Sequence, residues 1–229
     1  MKKVVICLLP VLFVCTTVFS QATERIYIKG GSARWEELNK AVYLYPEFVS
    51  GLIEMKNGAR FTRPLNYNRI LTTIEFIDEN KDTLALADES SVSQIIIGDD
   101  VFLFTPACLK SVTKGKVKLY VHERMKVGDI QKVGAFGIPN SGSSIENIEQ
   151  IQTSQRNYDL DVNETIILSK ATYYMVETDK HEFVQANKKN ILKAAPGKED
   201  QVKEYLKTNN VNFNKKDDVV DLVNYISGL

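Results

Sequence analysis

Residues 65–104 constrain the fold more than any other part of the chain, because they contain several short strand-like runs in quick succession. From Ile70 to Phe76, β-branched and aromatic residues fall on alternate positions, which is typical of a strand with one buried face. Polar turn residues at 78–82 follow, and further strand-like runs lie at 83–87, 95–97 and 101–104. Such short, closely spaced elements favour an antiparallel meander over βαβ units, which need a helix between strands.

A hairpin is predicted to lead into this region. Asn57-Gly58 lies between two strand-like runs, 48–55 and 59–67, and Asn-Gly is a strong hairpin signal because both turn residues need positive φ. Pro64 predicts an edge position or a bulge, since proline cannot donate to a ladder.

The flanking segments add strands and helices. Apolar periodicity predicts a helix over residues 33–44, with Trp35 near its buried face. Alternation predicts a strand at 117–121 with a basic outer face, and a second strand at 126–133 returning beside it across Glu123-Arg124. Further strands are predicted at 165–176 and 183–184, and helices at 186–193, 198–208 and 216–226.

These elements predict an α+β fold. Its body is a mostly antiparallel sheet or meander, sandwich- or roll-like, over residues 21–184, and a small helical segment at 185–229 packs on it. Helices this short need a docking surface, and the sheet is the expected one.

The N-terminus has the form of a secretory signal peptide over residues 1–20. Lys2 and Lys3 precede an apolar run that is broken by Pro10 and followed by small residues. The run is too short for a membrane span, so we expect no transmembrane segment after cleavage, which could follow Ser20 or Ala22. We therefore expect an exported protein that is periplasmic, associated with the outer membrane, or extracellular. A lipoprotein cysteine at Cys15 is an alternative.

Charge and cysteine content narrow the classes of partner and site. Without Lys2 and Lys3 the chain has 27 basic against 29 acidic residues, a formal charge of −2, which argues against nucleic acid as a partner. Cys108 is the one cysteine left after signal removal, so no intramolecular disulfide can form, and a buried thiol is expected.

No arrangement of residues defines a catalytic or metal site. His122 and His181 are each followed by glutamate, and with Asp179 they could provide three zinc ligands, but their spacing matches no zinc motif. Residues 159–163 space oxygens like the start of a calcium loop, but Glu164 replaces the glycine expected next. We therefore predict no metal and no cofactor, and whether the chain is an enzyme stays open.

A loop is predicted over residues 134–157, where Gly134, Gly137 and Pro139 break regular structure. Phe136 and Ile138 are apolar residues within it, and with Asn140 they form the predicted binding residues. The alternative is that Phe136 folds back on the sheet, because apolar side chains are seldom left in water.

Three features resemble exported Bacteroidota proteins that have no characterised activity. They are the Asn66-Tyr67-Asn68 entry with the strands after it, the glycine-aromatic loop at 134–137, and the helical tail at 189–226. The resemblance implies export and a β-rich body, and it carries no catalytic residues. Residues 82–84, Asp-Thr-Leu, also resemble the short O-glycosylation motif of that phylum.

The functional expectation is an envelope or periplasmic protein that acts as a non-catalytic binding or structural module. Its partner would be another envelope protein or a cell-surface polymer. The alternative is an envelope-associated hydrolase with a dispersed active site, which convergence of His122, His181 and Asp179 in a concave pocket would favour.

Overall fold

The computed structural model describes residues 24–30, 34–105, 107–133, 139–142 and 164–229; the predicted signal peptide lies outside these ranges. The helices are α1 (Arg34–Val42), α2 (Lys188–Lys193), α3 (Glu199–Thr208) and α4 (Lys216–Gly228), and a 3-10 turn spans Glu89–Ser91. The strands are β1 (Glu24–Lys29), β2 (Val49–Met55), β3 (Arg60–Asn68), β4 (Thr73–Ile77), β5 (Thr83–Ala85), β6 (Val92–Ile97), β7 (Asp100–Phe104), β8 (Cys108–Ser111), β9 (Leu119–Val133), β10 (Pro139–Gly142), β11 (Glu164–Glu177) and β12 (Phe183–Gln185).

The strands form one antiparallel sheet in the order β1-β11-β9-β8-β7-β6-β2-β3-β4-β5, with β10 beside β9 and β12 beside β11. A mostly antiparallel sheet with a helical C-terminus confirms the predicted α+β class. The central run forms two meanders, β3–β4–β5 and β6–β7–β8, and β2 lies between them, paired with β3 on one side and β6 on the other.

The hairpin at Asn57-Gly58 is confirmed, but of the two residues only Gly58 has a positive φ, of 86°. The side chain of Asn57 instead accepts a hydrogen bond from the backbone N–H of Ala59 at 2.9 Å. Pro64 lies opposite Ser50 of β2, while the β3–β4 ladder begins only at Leu65. Pro64 thus occupies an edge position, as its missing N–H requires.

The predicted turn at Glu123-Arg124 is wrong. β9 runs unbroken for 15 residues and pairs with the 14-residue β11 along its length. Neither residue of the pair favours a turn, and the equally long β11 supplies a partner for both predicted halves. The ladder shifts register between Ile167 and Leu168, where β9 carries the extra residue Gly128 as a bulge.

The C-terminal helices are confirmed close to their predicted bounds, and they pack on the sheet. They cover the start of β9 and the end of β11, where Leu119 and Val176 have no exposed surface. The central strands at 65–104 enclose a core of their own around Ile74, Ile95 and Phe102. The tail therefore stabilises the long-strand half of the sheet.

Helix α1 packs on the same face of the long strands, farther along β9. Leu38 and Val42 of the helix contact a core that includes Met125 of β9 and Leu168 of β11. Glu36 and Glu37 lie in its first turn and Lys40 in its last, an order that suits the helix dipole.

The Asn66-Tyr67-Asn68 segment at the end of β3 organises a buried polar network. The Asn66 side chain, 1 % exposed, accepts from the backbone N–H of Tyr45 and donates to the carbonyls of Tyr45 and Glu47. Asn68 has no exposed surface; it accepts from two backbone N–H groups of the following turn and donates to Glu75 at 3.1 Å. These residues fix the chain around the β3–β4 hairpin.

Arg69 extends this network to α1 and β9. Its guanidinium donates to the carbonyls of Ala41 and Tyr43 at the end of α1, at 3.0 and 2.6 Å, and pairs with Glu123 at 3.3 Å. Its own carbonyl accepts from the backbone N–H of Met125 at 2.8 Å. One residue thus joins the two halves of the sheet.

None of the helices in the described ranges is both long and apolar enough to cross a bilayer.

Thr83 of the Asp-Thr-Leu motif is exposed in the edge strand β5, where a modifying enzyme could reach its hydroxyl.

Candidate binding groove

The predicted binding residues lie mostly beyond the described part of the chain. Phe136 and Ile138 fall outside it, and so do residues 159–163 of the calcium-like segment. Asn140 lies in β10, where its backbone is opposite Lys132 of β9. Four residues of the segment predicted as a loop thus form a short strand.

The two histidines are not brought together. His122 lies in β9, where its Nδ1 is 3.1 Å from the carbonyl oxygen of Cys108 and its ring is 6.1 Å from that of Tyr173. His181 lies in the β11–β12 turn with a φ of 59°. Within the described ranges, no group of three His, Cys, Asp or Glu side chains could hold a metal.

The predicted buried thiol is confirmed: Cys108 is 2 % exposed.

A small pocket of about 240 Å³ surrounds His181, and Asp179 also lines it. His181 Nδ1 is 2.7 Å from a carboxylate oxygen of Glu177, and the Lys118 ammonium is 3.7 Å from the other. Burial works against ionisation of Glu177, but its hydrogen bond with His181 and the Lys118 charge outweigh burial, so its pKa lies below the ordinary value. Burial and Glu177 together raise the pKa of Tyr120 to about 12.

A larger groove of about 870 Å³ lies between the end of β12 and the α3–α4 connection. Its first wall is fixed by two asparagines. Asn187 caps α2 by accepting from the backbone N–H of Asn190, and the Asn190 side chain donates to the carbonyl of Gln185. Its second wall is fixed by Asp218, which accepts from the backbone N–H of Asn212 at 3.0 Å. That hydrogen bond, with the Lys215 ammonium, lowers the pKa of Asp218.

Carboxamides dominate the groove. Among the described residues, its lining has five amide side chains, one cation and no carboxylate; the residues are Gln185, Ala186, Asn187, Lys188, Asn210, Val211, Asn212, Phe213 and Asn214. The side chains of Gln185, Asn210 and Asn214 are exposed and form no hydrogen bond with another described residue. Each offers two donors and an acceptor, so the groove suits an uncharged polar ligand. Val211 and Phe213 are half-buried and add apolar surface.

The sequence predicted only a helix at 198–208 in this region, and the groove was not predicted. The available signal was the density of asparagine at 209–214, where four of six residues carry a carboxamide. No sequence pattern indicated the facing wall, because Gln185 and Asn187 are brought there by the β11–β12 turn and by the packing of α2.

Comparison of the chain with protein-family models, with curated proteins and with solved structures found no match in any of the three.

Proposed function

We propose that this protein is exported to the cell envelope and acts there as a non-catalytic binding module, engaging a segment of another envelope protein in the carboxamide groove. The observation that carries the proposal is the groove lining, in which the described residues offer amide donors and acceptors and include no carboxylate, hydroxyl or thiol. The signal-like N-terminus supports export.

The chemistry of the groove favours a polypeptide in an extended, uncharged stretch. Peptide groups pair well with carboxamides because both carry one strong acceptor beside N–H donors. Strand β12, at the groove's edge, pairs with β11 and with no second described strand, so it could also accept backbone hydrogen bonds from an added chain. Phe213 and Val211 would contact an apolar side chain of the partner.

The test is capture of the partner from the native envelope with the tagged full-length protein. The variant Gln185→Ala/Asn214→Ala removes two carboxamides that make no hydrogen bond within the described chain. The control Asn39→Ala/Gln201→Ala makes the same chemical change at exposed helix positions. We expect the wild type and the control to capture the same partner protein. The groove variant should bind that partner about tenfold more weakly, because it lacks two hydrogen bonds. Equal capture by all three chains refutes the groove assignment.

The His181–Glu177 pair favours the alternative, an envelope-associated hydrolase, because a histidine beside a carboxylate can transfer protons. The measurement is release of soluble fragments from purified envelope polysaccharide or peptidoglycan. Hydrolysis by the wild type that is lost in both Glu177→Gln and His181→Asn would establish the enzyme and displace the binding module. Absence of hydrolysis by the wild type removes this alternative.

A further inference from the structure

One face of the β1–β11–β9 sheet carries cations and tyrosines. In an antiparallel ladder directly opposed residues share a face, and so do alternate residues along a strand. Lys126 of β9 is opposite Ser169 of β11, which is opposite Arg25 of β1. The same rule places seven side chains together, here called the basic tyrosine face: Arg25, Tyr27, Lys29, His122, Arg124, Lys126 and Tyr173.

The described helices leave this face uncovered. The C-terminal helices contact Leu119 and Val121, and α1 packs with Met125 in a common core, so all of them lie on the opposite side of β9. Arg25, Lys29 and Lys126 are exposed, and Tyr27 is 55 % exposed, an unusual position for a large ring.

Within the described part of the chain, no ion pair neutralises the Lys and Arg side chains of the basic tyrosine face. Its four Lys and Arg side chains form no ion pair with any described residue. On the covered side, by contrast, Glu123 is 3.8 Å from the ammonium of Lys170. Among the described residues the ladder places two carboxylates on the basic side: Asp129, opposite Ile167, and Glu177, four residues beyond Tyr173 on β11. Glu177 already pairs with Lys118 and His181, so the four cations and Asp129 leave a surplus of positive charge on a nearly neutral chain.

The spacing of the cations suits an extended chain. Lys126 and Arg25 are two strands apart, or about 10 Å, and Arg25 and Lys29 are four residues apart, or about 13 Å. Tyr27 lies between the last two and presents its ring to solvent. Thr165, Ser169 and Gln131 share the face and offer hydroxyl and amide groups for hydrogen bonds.

We propose that the basic tyrosine face binds an acidic polysaccharide, with carboxylates on Arg25, Lys29, Arg124 and Lys126 and a sugar ring against Tyr27. Membrane-surface binding needs inserted apolar side chains, and the strongly exposed large side chain here is a tyrosine. Nucleic acid would make the same ionic contacts, but an exported protein meets polysaccharide. The choice of polymer thus rests on the export part of the proposed function, and the surface itself is independent of the carboxamide groove.

The experiment titrates the full-length protein with polygalacturonate oligosaccharides by calorimetry or fluorescence. Arg25→Glu/Lys126→Glu reverses two charges of the face, and Lys56→Glu/Lys189→Glu makes the same net change at exposed positions elsewhere. We expect the face variant to lose about tenfold or more in affinity and the control to stay near wild type. Tyr27→Ala should weaken binding, whereas Tyr27→Phe should retain it.

Three outcomes overturn the proposal. They are no binding of polygalacturonate by the wild type, equal binding by the face variant, and preferential binding of oligothymidylate or of phosphatidylglycerol vesicles by the basic face. The groove variant Gln185→Ala/Asn214→Ala should bind polygalacturonate like the wild type, so failure of one proposal is distinguishable from failure of the other.

Discussion

Removing the Asn68 side chain should destabilise the fold severely, although the residue belongs to neither proposed site. Asn68 has no exposed surface. Its Oδ1 accepts from the N–H groups of Ile70 and Leu71, both at 3.0 Å, and its Nδ2 donates to the Glu75 carboxylate at 3.1 Å. Asn68→Ala leaves both N–H groups without this acceptor and takes one donor from a carboxylate that Tyr43 also contacts.

The magnitude follows from these three bonds. The two backbone groups are only half-buried, so each lost bond costs about 1 kcal/mol, and the bond to the carboxylate adds about 2 kcal/mol. The expected loss is about 4 kcal/mol of a total stability of about 5–15 kcal/mol. The melting temperature should fall by about 10 °C. Urea unfolding followed by circular dichroism measures the change, with the slope m expected to stay constant.

Two further variants test the reasoning. Asn214→Ala, an exposed asparagine, should change stability by less than about 0.5 kcal/mol. Asn68→Asp keeps the acceptor but places a second carboxylate against Glu75, and adding Glu75→Gln restores a donor between the two side chains. The double variant should therefore recover at least about 2 kcal/mol relative to Asn68→Asp. An Asn68→Ala protein within about 1 kcal/mol of wild type would refute the network's role.

Three other outcomes are expected. Gly51→Ala should lower the free energy of unfolding by about 1–3 kcal/mol, because the added Cβ would lie 2.7 Å from the carbonyl oxygen of Ile96. Ser50→Ala, at the exposed neighbouring position, should leave stability nearly unchanged in the same melting assay. Unchanged stability in Gly51→Ala would contradict this close packing. Cys108 should resist a thiol reagent until urea unfolds the chain, since burial raises the pKa of its thiol; rapid labelling of the native protein would show otherwise. Deleting residues 186–229 should expose the apolar end of β9 and β11 and cause aggregation or proteolysis, and a soluble truncated chain with unchanged melting would mean that the tail is a separate module.

The fold could be predicted where the signal was local. The hairpin at Asn57-Gly58 and the acidic start of α4 each depend on neighbouring residues, and each matches the structure. The strand predicted from Ile70 is only half correct: β4 begins at Thr73, because residues 69–72 form the β3–β4 turn, in which Thr72 has a φ of 57°. The continuity of β9 could not be predicted in this way. Nothing local shows that Glu123 and Arg124 pair with Thr172 and Ala171, some fifty residues later in the chain.

The candidate sites were harder to predict, because each joins distant segments. The sequence predicted Phe136, Ile138 and Asn140 as binding residues, because they are apolar and polar residues within one glycine-rich stretch. The carboxamide groove instead combines the end of β12 with the α3–α4 connection. The basic tyrosine face depends on a ladder that joins the first described strand to the eleventh. Short-range patterns carry no information on such pairings.

The pairing of β1 with β11 also has a consequence for how the chain folds. Glu24 is opposite Lys170, so the first described strand has no partner until most of the chain is available. Contacts between residues so far apart in sequence close slowly, because a long loop must be ordered before they form. We expect the β1–β11 ladder to be among the last to gain protection in pulsed hydrogen exchange during refolding. The central strands β3 to β8 should gain protection before it.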